Sequence, residues 1–226
     1  MAQALDAPEA ISTEVRSPTG SVAIEENALA GFAGIAAAGK SIETLLNAGF
    51  EEEQPMPPPE TKTKAVLVRT IDFDENGKSI GVPALSIFLY RVDFNKVMRA
   101  AWSATSTQDG RSHLGLDLHY LITPWGKNAE DEHRILGRAM QCLESTPILT
   151  GPLLHSSGKW DGSESIQLVL EEVSTEAVMR TFDSLPTDYR LSVPYIARVM
   201  RLDGRTTSPE GPVITAITGA VPTTRL

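Results

Sequence analysis

The chain has 226 residues, a formal net charge of −9, 41% hydrophobic residues and 22% charged residues. This length and composition are typical of one globular domain with a single hydrophobic core. The negative charge would repel a nucleic-acid backbone or an anionic membrane surface, so we expect neither as a partner. The first residues lack the basic start and apolar core of a secretory signal, and we expect a cytoplasmic protein without a membrane-spanning segment.

The first quarter of the chain is divided by glycine and proline. Residues 1–21 show no hydrophobic periodicity, which is typical of a flexible N-terminal tail. Residues 22–50 are rich in alanine and carry apolar residues at helical spacing. Residues 51–60 read EEEQPMPPPE, a proline-rich spacer that no helix can continue through. We therefore expect one helix that ends at this spacer.

The predicted first helix contains the pattern of a phosphate-binding loop. Residues 34–41 read GIAAAGKS, which fits G-x-x-x-x-G-K-[ST]. In such a loop Lys40 would contact the terminal phosphates and Ser41 would bind magnesium. A phosphate-binding loop must follow a buried strand, and the preceding residues, ENALAGFA, are poor in β-branched side chains. We interpret the segment as part of a packing helix and keep a nucleotide-binding protein as an alternative hypothesis.

Residues 114–144 join a strand pattern to a helix pattern. Apolar residues recur at every second position from Leu114 to Ile122, which predicts a strand with one buried face. A turn is predicted around residues 124–126, after which Asn128 can cap a helix. The apolar positions of this helix are Ile135, Leu136, Ala139, Met140 and Leu143. We expect this unit to form the centre of the domain.

Three further segments favour strands. Residues 64–73 are rich in β-forming residues, and residues 85–94 are apolar on both faces, as in a central strand covered on each side. Residues 95–102 indicate a helical turn or loop. Residues 148–154 are apolar but interrupted by glycine and proline, which indicates an edge strand.

The strand-to-helix pattern occurs a second time near the end of the domain. Residues 166–170 alternate as a strand, and Ser174 or Thr175 can cap the helix that follows. The predicted buried stripe of that helix is Val178, Met179, Phe182 and Leu185. Residues 189–202 indicate a final strand, and Pro194 favours its placement at a sheet edge or on a bulge, because proline cannot donate a backbone hydrogen bond.

Several of these segments occur together, and in the same order, in one known family. They are PALSIFLYRVDFNKVMRAAW, LDLHYLITPWG, AEDEHRILGRAMQCLESTPILTGPLL, IQLVLEEVSTEAVMRTFDSLP and YRLSVPYIARVMRLD. They resemble the domain shared by cap or tail-terminator proteins of phage-tail-like contractile injection systems. With IAAAGKSIETLL included, the resemblance covers residues 35–203. It implies a fold and an assembly role without catalytic residues, and no nucleotide role for the first helix.

Two features are candidates for contacts with other subunits. Trp160 lies among turn residues, where an exposed side chain would suit an interface and a buried one would pack on its own domain. Residues 204–226 contain few charges and too little apolar content to fold alone. We expect them to form an arm that adds a strand to a neighbouring subunit or to the sheath. The apolar residues of this arm are Val213, Ile214, Ile217 and Val221.

Other reactive side chains favour structural roles. Cys142 is the single cysteine, which excludes an internal disulfide, and we expect a partly buried thiol without activation. The four histidines are scattered and do not show the spacing of a zinc site. His119 and Asp117 share one face of the central strand, where we favour a hydrogen-bonded structural pair over a functional site. We therefore predict no catalytic, cofactor-binding or metal-binding residues.

Together these observations predict an α+β fold, with a mixed sheet of five or six strands flanked by about three helices. Residues 22–203 would form the single domain, between a flexible N-terminal segment and the C-terminal arm at 204–226. The resemblance implies a structural cap that closes the end of tube and sheath distal to the baseplate, as a ring that would be hexameric by symmetry with the tail. Its partners would be its own copies, the sheath and the inner tube, first in the cytoplasm and then in the particle. A sheath- or baseplate-associated adaptor is a further alternative.

Overall fold

The computed structural model describes residues 31–59, 62–73, 78–101 and 113–203, and a mixed sheet with helices on both faces dominates them. The helices are α1 (Gly34–Glu52), α2 (Lys96–Ala101), α3 (Ala129–Ser145) and α4 (Thr175–Phe182). The strands are β1 (Lys64–Val68), β2 (Ala84–Phe94), β3 (His113–Trp125), β4 (Ile148–Thr150), β5 (Ser165–Leu170) and β6 (Val193–Asp203). The predicted α+β class, with a mixed sheet of up to six strands and about three main helices, is confirmed.

The strands lie in the order β1-β2-β3-β6-β5-β4. β1 is parallel to β2, and every other neighbouring pair is antiparallel. The sequence-predicted centre, β3, is an inner strand, and β4 lies at a sheet edge as expected from its glycine and proline neighbours. The two edges of the sheet are therefore β1 and β4.

The first face of the sheet is covered by α1 and α3. Alternate residues of β3, from Leu116 to Ile122, pack there against both helices. α3 begins where expected, because the Asn128 side chain accepts a hydrogen bond from the backbone N–H of Asp131 at 2.9 Å and three acidic residues occupy the first turn. Its buried residues are Ile135, Leu136, Ala139, Cys142 and Leu143.

The second face is covered in part by α4, over an aromatic cluster. Phe73 contacts Phe88 at 5.2 Å and Phe182 at 6.5 Å between ring centroids. Trp125 completes the cluster and donates from its indole N–H to the Ser86 hydroxyl at 2.9 Å. Farther along β3, toward His113, the same face carries polar side chains.

The central strand is longer and more buried than its sequence pattern indicates. β3 continues to Trp125, so the turn predicted around residues 124–126 begins only at Gly126. From Leu118 onward both faces of β3 are buried, because α4 packs on the side that was expected to be exposed.

Several other boundaries differ from the predictions. β1 ends at Val68, and a short 3-10 helix follows it, so the strand predicted for residues 64–73 is too long. α1 continues to Glu52, and the spacer is therefore shorter than residues 51–60. Met179 is 47% exposed, because α4 is short and turns only Val178 and Phe182 toward the sheet. β2 is covered in its first half only.

The prediction that Pro194 lies at a sheet edge or on a bulge is wrong, since β6 lies between β3 and β5 and the irregularity of its ladder with β3 falls between Leu116 and Leu118. Pro194 is the second residue of β6, and its carbonyl accepts a hydrogen bond from the N–H of Glu171 at 2.9 Å, just beyond the end of β5 at Leu170. The proline nitrogen faces the same residue, so the reciprocal hydrogen bond to Glu171 is absent. The loss falls at the end of the ladder, one residue beyond the last residue of β5.

Candidate assembly interface

One edge of the sheet is closed by side chains of α1. The Asn47 side-chain amide donates to the carbonyl of Ala65 in β1 at 2.9 Å, and its oxygen accepts from the N–H of Ala65 at 2.9 Å. The Glu43 carboxylate accepts from the N–H of Leu67 at 3.1 Å. Backbone groups that would otherwise face an added strand are thereby satisfied within the subunit. The β1 edge is blocked against strand addition.

The opposite edge is open in the part of the chain that the structure describes. β4 pairs with β5 on one side, and no described strand lies beyond it. The carbonyl of Pro147 accepts a hydrogen bond from the N–H of Leu168 at 2.7 Å, so Pro147 faces β5. Backbone groups in an antiparallel ladder face the partner strand at every second residue, and those of Ile148 and Thr150 therefore point away from β5. Leu149 is fully buried between them, whereas the Ile148 side chain is 52% exposed. β4 is thus anchored by its middle residue and presents an unpaired edge.

A cleft adjoins this open edge. It lies between α1 and the connection from β4 to β5, has a volume of about 620 Å³, and is lined by Thr44, Leu153, Leu154, His155, Lys159 and Trp160 among others. Leu153 lines the cleft and is 42% exposed, whereas the Ile148 side chain points to the opposite sheet face from Leu149.

Trp160 forms one wall of the cleft and also packs on its own domain. Its ring lies against Gly158, where an added Cβ would come within 2.4 Å of the indole. The indole N–H donates to the carbonyl of His155 at 2.8 Å, and the N–H of His155 donates to the Ser41 hydroxyl of α1 at 2.8 Å. Trp160 is half-buried against the core and remains a predicted interface residue.

The predicted arm residues Val213, Ile214, Ile217 and Val221 lie outside the described residues. The open edge of β4 is a feature that the sequence analysis did not single out as an interface. Its short apolar sequence between proline and glycine was the available signal, and it indicated an edge strand without indicating which edge of the sheet is free.

The phosphate-loop pattern is helical in the structure. Residues 34–41 form the first two turns of α1, and the Ser41 hydroxyl donates to the carbonyl of Ala37 at 2.8 Å while it accepts from His155. Lys40 forms an ion pair with Glu43 on the same helix. A loop that wraps phosphates needs free backbone N–H groups and a free hydroxyl, and this segment uses both for its own folding.

A polar network occupies the uncovered part of the second sheet face. Nδ1 of His119 lies 2.9 Å from a carboxylate oxygen of Glu171, and its Nε2 lies 3.3 Å from Asp93. The Arg91 guanidinium donates to Glu171 at 2.9 Å, and the Tyr90 hydroxyl donates to the same carboxylate at 3.0 Å. Burial, followed by the negative charge of Glu171, raises the pKa of Tyr90 to about 12. The network ties β2 and β3 to the segment that follows β5.

The predicted hydrogen-bonded pair of His119 and Asp117 is wrong. Asp117 accepts two hydrogen bonds from the Asn95 side chain at 3.2 Å, whereas His119 contacts Glu171 and Asp93. Glu171 lies 52 positions after His119 in the chain, so strand pairing through β6 was needed to bring them together.

Cys142 is buried where α3 crosses α1, and burial raises the pKa of its thiol. Within the described residues, no three His, Cys, Asp or Glu side chains are placed to hold a metal ion. No helix in the described ranges is both long and apolar enough to cross a membrane.

The sequence and the fold identify the family. The family model described as Pvc16 N-terminal domain matches residues 37–216. This match covers most of the chain, so the protein belongs to the Pvc16 N-terminal domain family.

A similar solved structure is a cryo-EM structure of an extracellular contractile injection system, described as a PVC sheath/tube terminator in the extended state. The TM-score is 0.52 at 16% sequence identity, and the alignment covers 84% of the present chain and 64% of that chain. The present chain therefore spans less than two thirds of that terminator, and at this identity the likeness establishes a shared fold. Comparison with curated proteins gave no match.

Proposed function

We propose that this protein is a structural terminator of a contractile injection system. The observation that carries the proposal is membership of the Pvc16 N-terminal domain family together with the shared fold of a sheath/tube terminator. We propose further that it closes the end of tube and sheath distal to the baseplate, as a six-fold ring that matches the symmetry of the tail. In this role it binds and does not catalyse a reaction.

The two unlike sheet edges support a ring. Identical subunits close into a ring through head-to-tail contacts, in which one surface of a subunit meets a different surface of the next. The sheet has one edge blocked by Asn47 and Glu43 and one open edge at β4, so edge-to-edge pairing of like surfaces at β1 is prevented. A directional contact through β4 remains available.

The proposed partners are further copies of this chain, the sheath protein and the inner-tube protein. The domain at 22–203 would provide the ring body, and residues 204–226 would provide an arm. Assembly would take place in the cytoplasm, after which the protein would remain in the particle.

Electron microscopy of particles assembled with and without this chain tests the proposal. We expect tails of variable length with open ends when the chain is absent. When it is present, we expect tails of uniform length and a ring of density at the end opposite the baseplate. Uniform, closed particles in its absence would refute the terminator role, and density at the baseplate end would favour the adaptor alternative.

A matched variant separates this role from nucleotide binding. Lys40→Ala removes the amine that a phosphate-binding loop requires, but in the structure it removes only a surface ion pair with Glu43. We expect the variant to terminate tails normally and the unaltered protein to show no nucleotide binding in calorimetry. Nucleotide binding that is lost in Lys40→Ala would support the alternative.

A further inference from the structure

We infer that the open edge of β4 binds residues 213–218 of a neighbouring copy as an added strand. The acceptor site consists of the β4 edge, Ile148–Thr150, and the adjoining cleft with Leu153 and Trp160. This inference rests on the proposed ring. It assigns residues 213–218 as the donor strand, β4 as the edge that receives it and β1 as the edge that cannot.

The acceptor site has the properties that strand addition requires. Outward N–H and C=O groups at Ile148 and Thr150 have no strand partner among the described residues, and the three residues of β4 include no charge that would repel an incoming chain. The Ile148 side chain of β4 is 52% exposed, so an added strand would cover apolar surface there as well as gain backbone hydrogen bonds. At β1, the Asn47 and Glu43 side chains already use the corresponding groups.

The donor segment matches this site in chemistry. Residues 213–218 read VITAIT, in which every residue except Ala216 is β-branched and none is charged. Such residues favour the extended backbone of a strand. In a strand, Val213, Thr215 and Ile217 would share one face, and Ile214, Ala216 and Thr218 would share the other. Either face places a large aliphatic side chain toward the cleft beside Trp160.

The length of the chain allows the donor segment to reach another subunit. β6 ends at Asp203, which leaves nine residues, 204–212, before the donor segment. Extended, they span up to about 30 Å. β4 lies only two strands away from β6 in the same sheet, or about 10 Å at the usual strand spacing. The tether is also long enough to reach the subunit's own β4, and it is the head-to-tail ring, where each subunit is both donor and acceptor, that favours a neighbour.

Cysteine cross-linking of the full-length protein tests the inference. The background variant is Cys142→Ala, which removes the single native thiol. Thr150→Cys, on the acceptor edge, is mixed with variants that carry one cysteine at each position of 213–218, so that the register need not be known beforehand. The matched control is Lys64→Cys, whose exposed side chain lies on the blocked β1 edge.

We expect disulfide-linked dimers when Thr150→Cys is mixed with at least one donor variant, and none with Lys64→Cys. When the acceptor and donor cysteines are in one chain, oxidation should give a ladder of linked oligomers that ends at the number of subunits in the ring. Because successive N–H groups of a strand point to opposite sides, one of Ile214→Pro and Thr215→Pro removes an N–H that faces β4 in either register, and that variant should abolish both products without changing the circular dichroism of the domain.

Three results would overturn the inference. A link formed only within one chain would mean that the segment returns to its own β4. Links to the β1 position in preference to β4 would show that the edges are assigned wrongly. The absence of links at every donor position would mean that the segment binds elsewhere. In each of these cases, normal tail termination in electron microscopy would leave the proposed function intact.

Discussion

The two helices on the first sheet face approach each other closely at a glycine, and a single methyl group there should be costly. Gly49 of α1 faces Cys142 of α3, and an alanine Cβ at position 49 would lie 2.3 Å from the sulfur and 3.3 Å from the Cys142 Cβ. Unstrained carbon contacts are about 3.5–4.0 Å. The carbonyl of Gly49 also accepts a hydrogen bond from Arg138 of α3 at 2.8 Å, which limits how far the helices can separate.

The size of the effect follows from two opposing contributions. Overpacking a close contact costs about 1–3 kcal/mol, and an approach of 2.3 Å belongs in the upper part of that range. Replacing a glycine inside a helix with alanine gains about 1 kcal/mol in helix propensity. Gly49→Ala should therefore lower the free energy of unfolding by about 1–2 kcal/mol. In the Cys142→Ala background the sulfur is absent, and the same change should alter the free energy of unfolding by less than about 1 kcal/mol.

Urea unfolding followed by circular dichroism measures these differences. Gly137→Ala is the matched control, because Gly137 lies in α3 with no atom within 4 Å of its added Cβ. It should gain about 0.5–1 kcal/mol from helix propensity alone. If Gly49→Ala stabilises the protein as Gly137→Ala does, or if Cys142→Ala does not relieve the cost, the described contact between α1 and α3 is incorrect.

Three further predictions concern the blocked edge, the polar network and the buried tyrosines. Asn47→Ala should lower the free energy of unfolding by about 1–3 kcal/mol and increase light scattering, because it unpairs backbone groups of β1; unchanged scattering would argue against edge protection. Glu171→Gln should lower the free energy of unfolding by about 1–3 kcal/mol in urea unfolding, because the Glu171 carboxylate contacts a hydroxyl, a guanidinium and an imidazole. An unchanged free energy of unfolding would mean that the network is not formed in solution. Burial raises the pKa of Tyr90 and of Tyr195 to about 12, above the ordinary value of about 10. The stability that the two protonated phenols contribute should be fully present below about pH 10 and should fall as pH rises toward about 12. Phenolate absorbance near pH 10 that is lost in Tyr90→Phe or in Tyr195→Phe would contradict this.

The proposed contact between subunits depends on a difference between two edges that share one sheet. Edge strands are a hazard for uncontrolled association, and proteins commonly protect them. Here α1 protects β1 through two polar side chains, and β4 is kept short but open. A subunit with one blocked and one open edge can receive a partner strand at β4 but not at β1. A head-to-tail contact of this kind gives a closed ring when its rotation closes and an open filament when it does not.

The sequence by itself determined the local elements of this protein. The Asn128 cap, the acidic first turn and the apolar spacing of α3 depend on residues within a few positions of one another, and the helix begins where they indicate. The alternation from Leu114 to Ile122 likewise predicted a strand at the centre of the domain, and the glycine and proline around β4 predicted a sheet edge. The ordered family segments predicted the fold class and the family that the comparisons confirm.

The tertiary structure alone decided which surfaces are covered and which remain open. Asn47 satisfies β1 from 18 positions earlier in the chain, and Glu171 meets His119 from 52 positions later, so neither pairing leaves a periodic signal. Met179 is exposed and Trp125 is buried because α4 covers only one part of the second face. Local patterns reflect backbone preference and short-range spacing, whereas edge protection and burial depend on where the whole chain places its elements in the sheet.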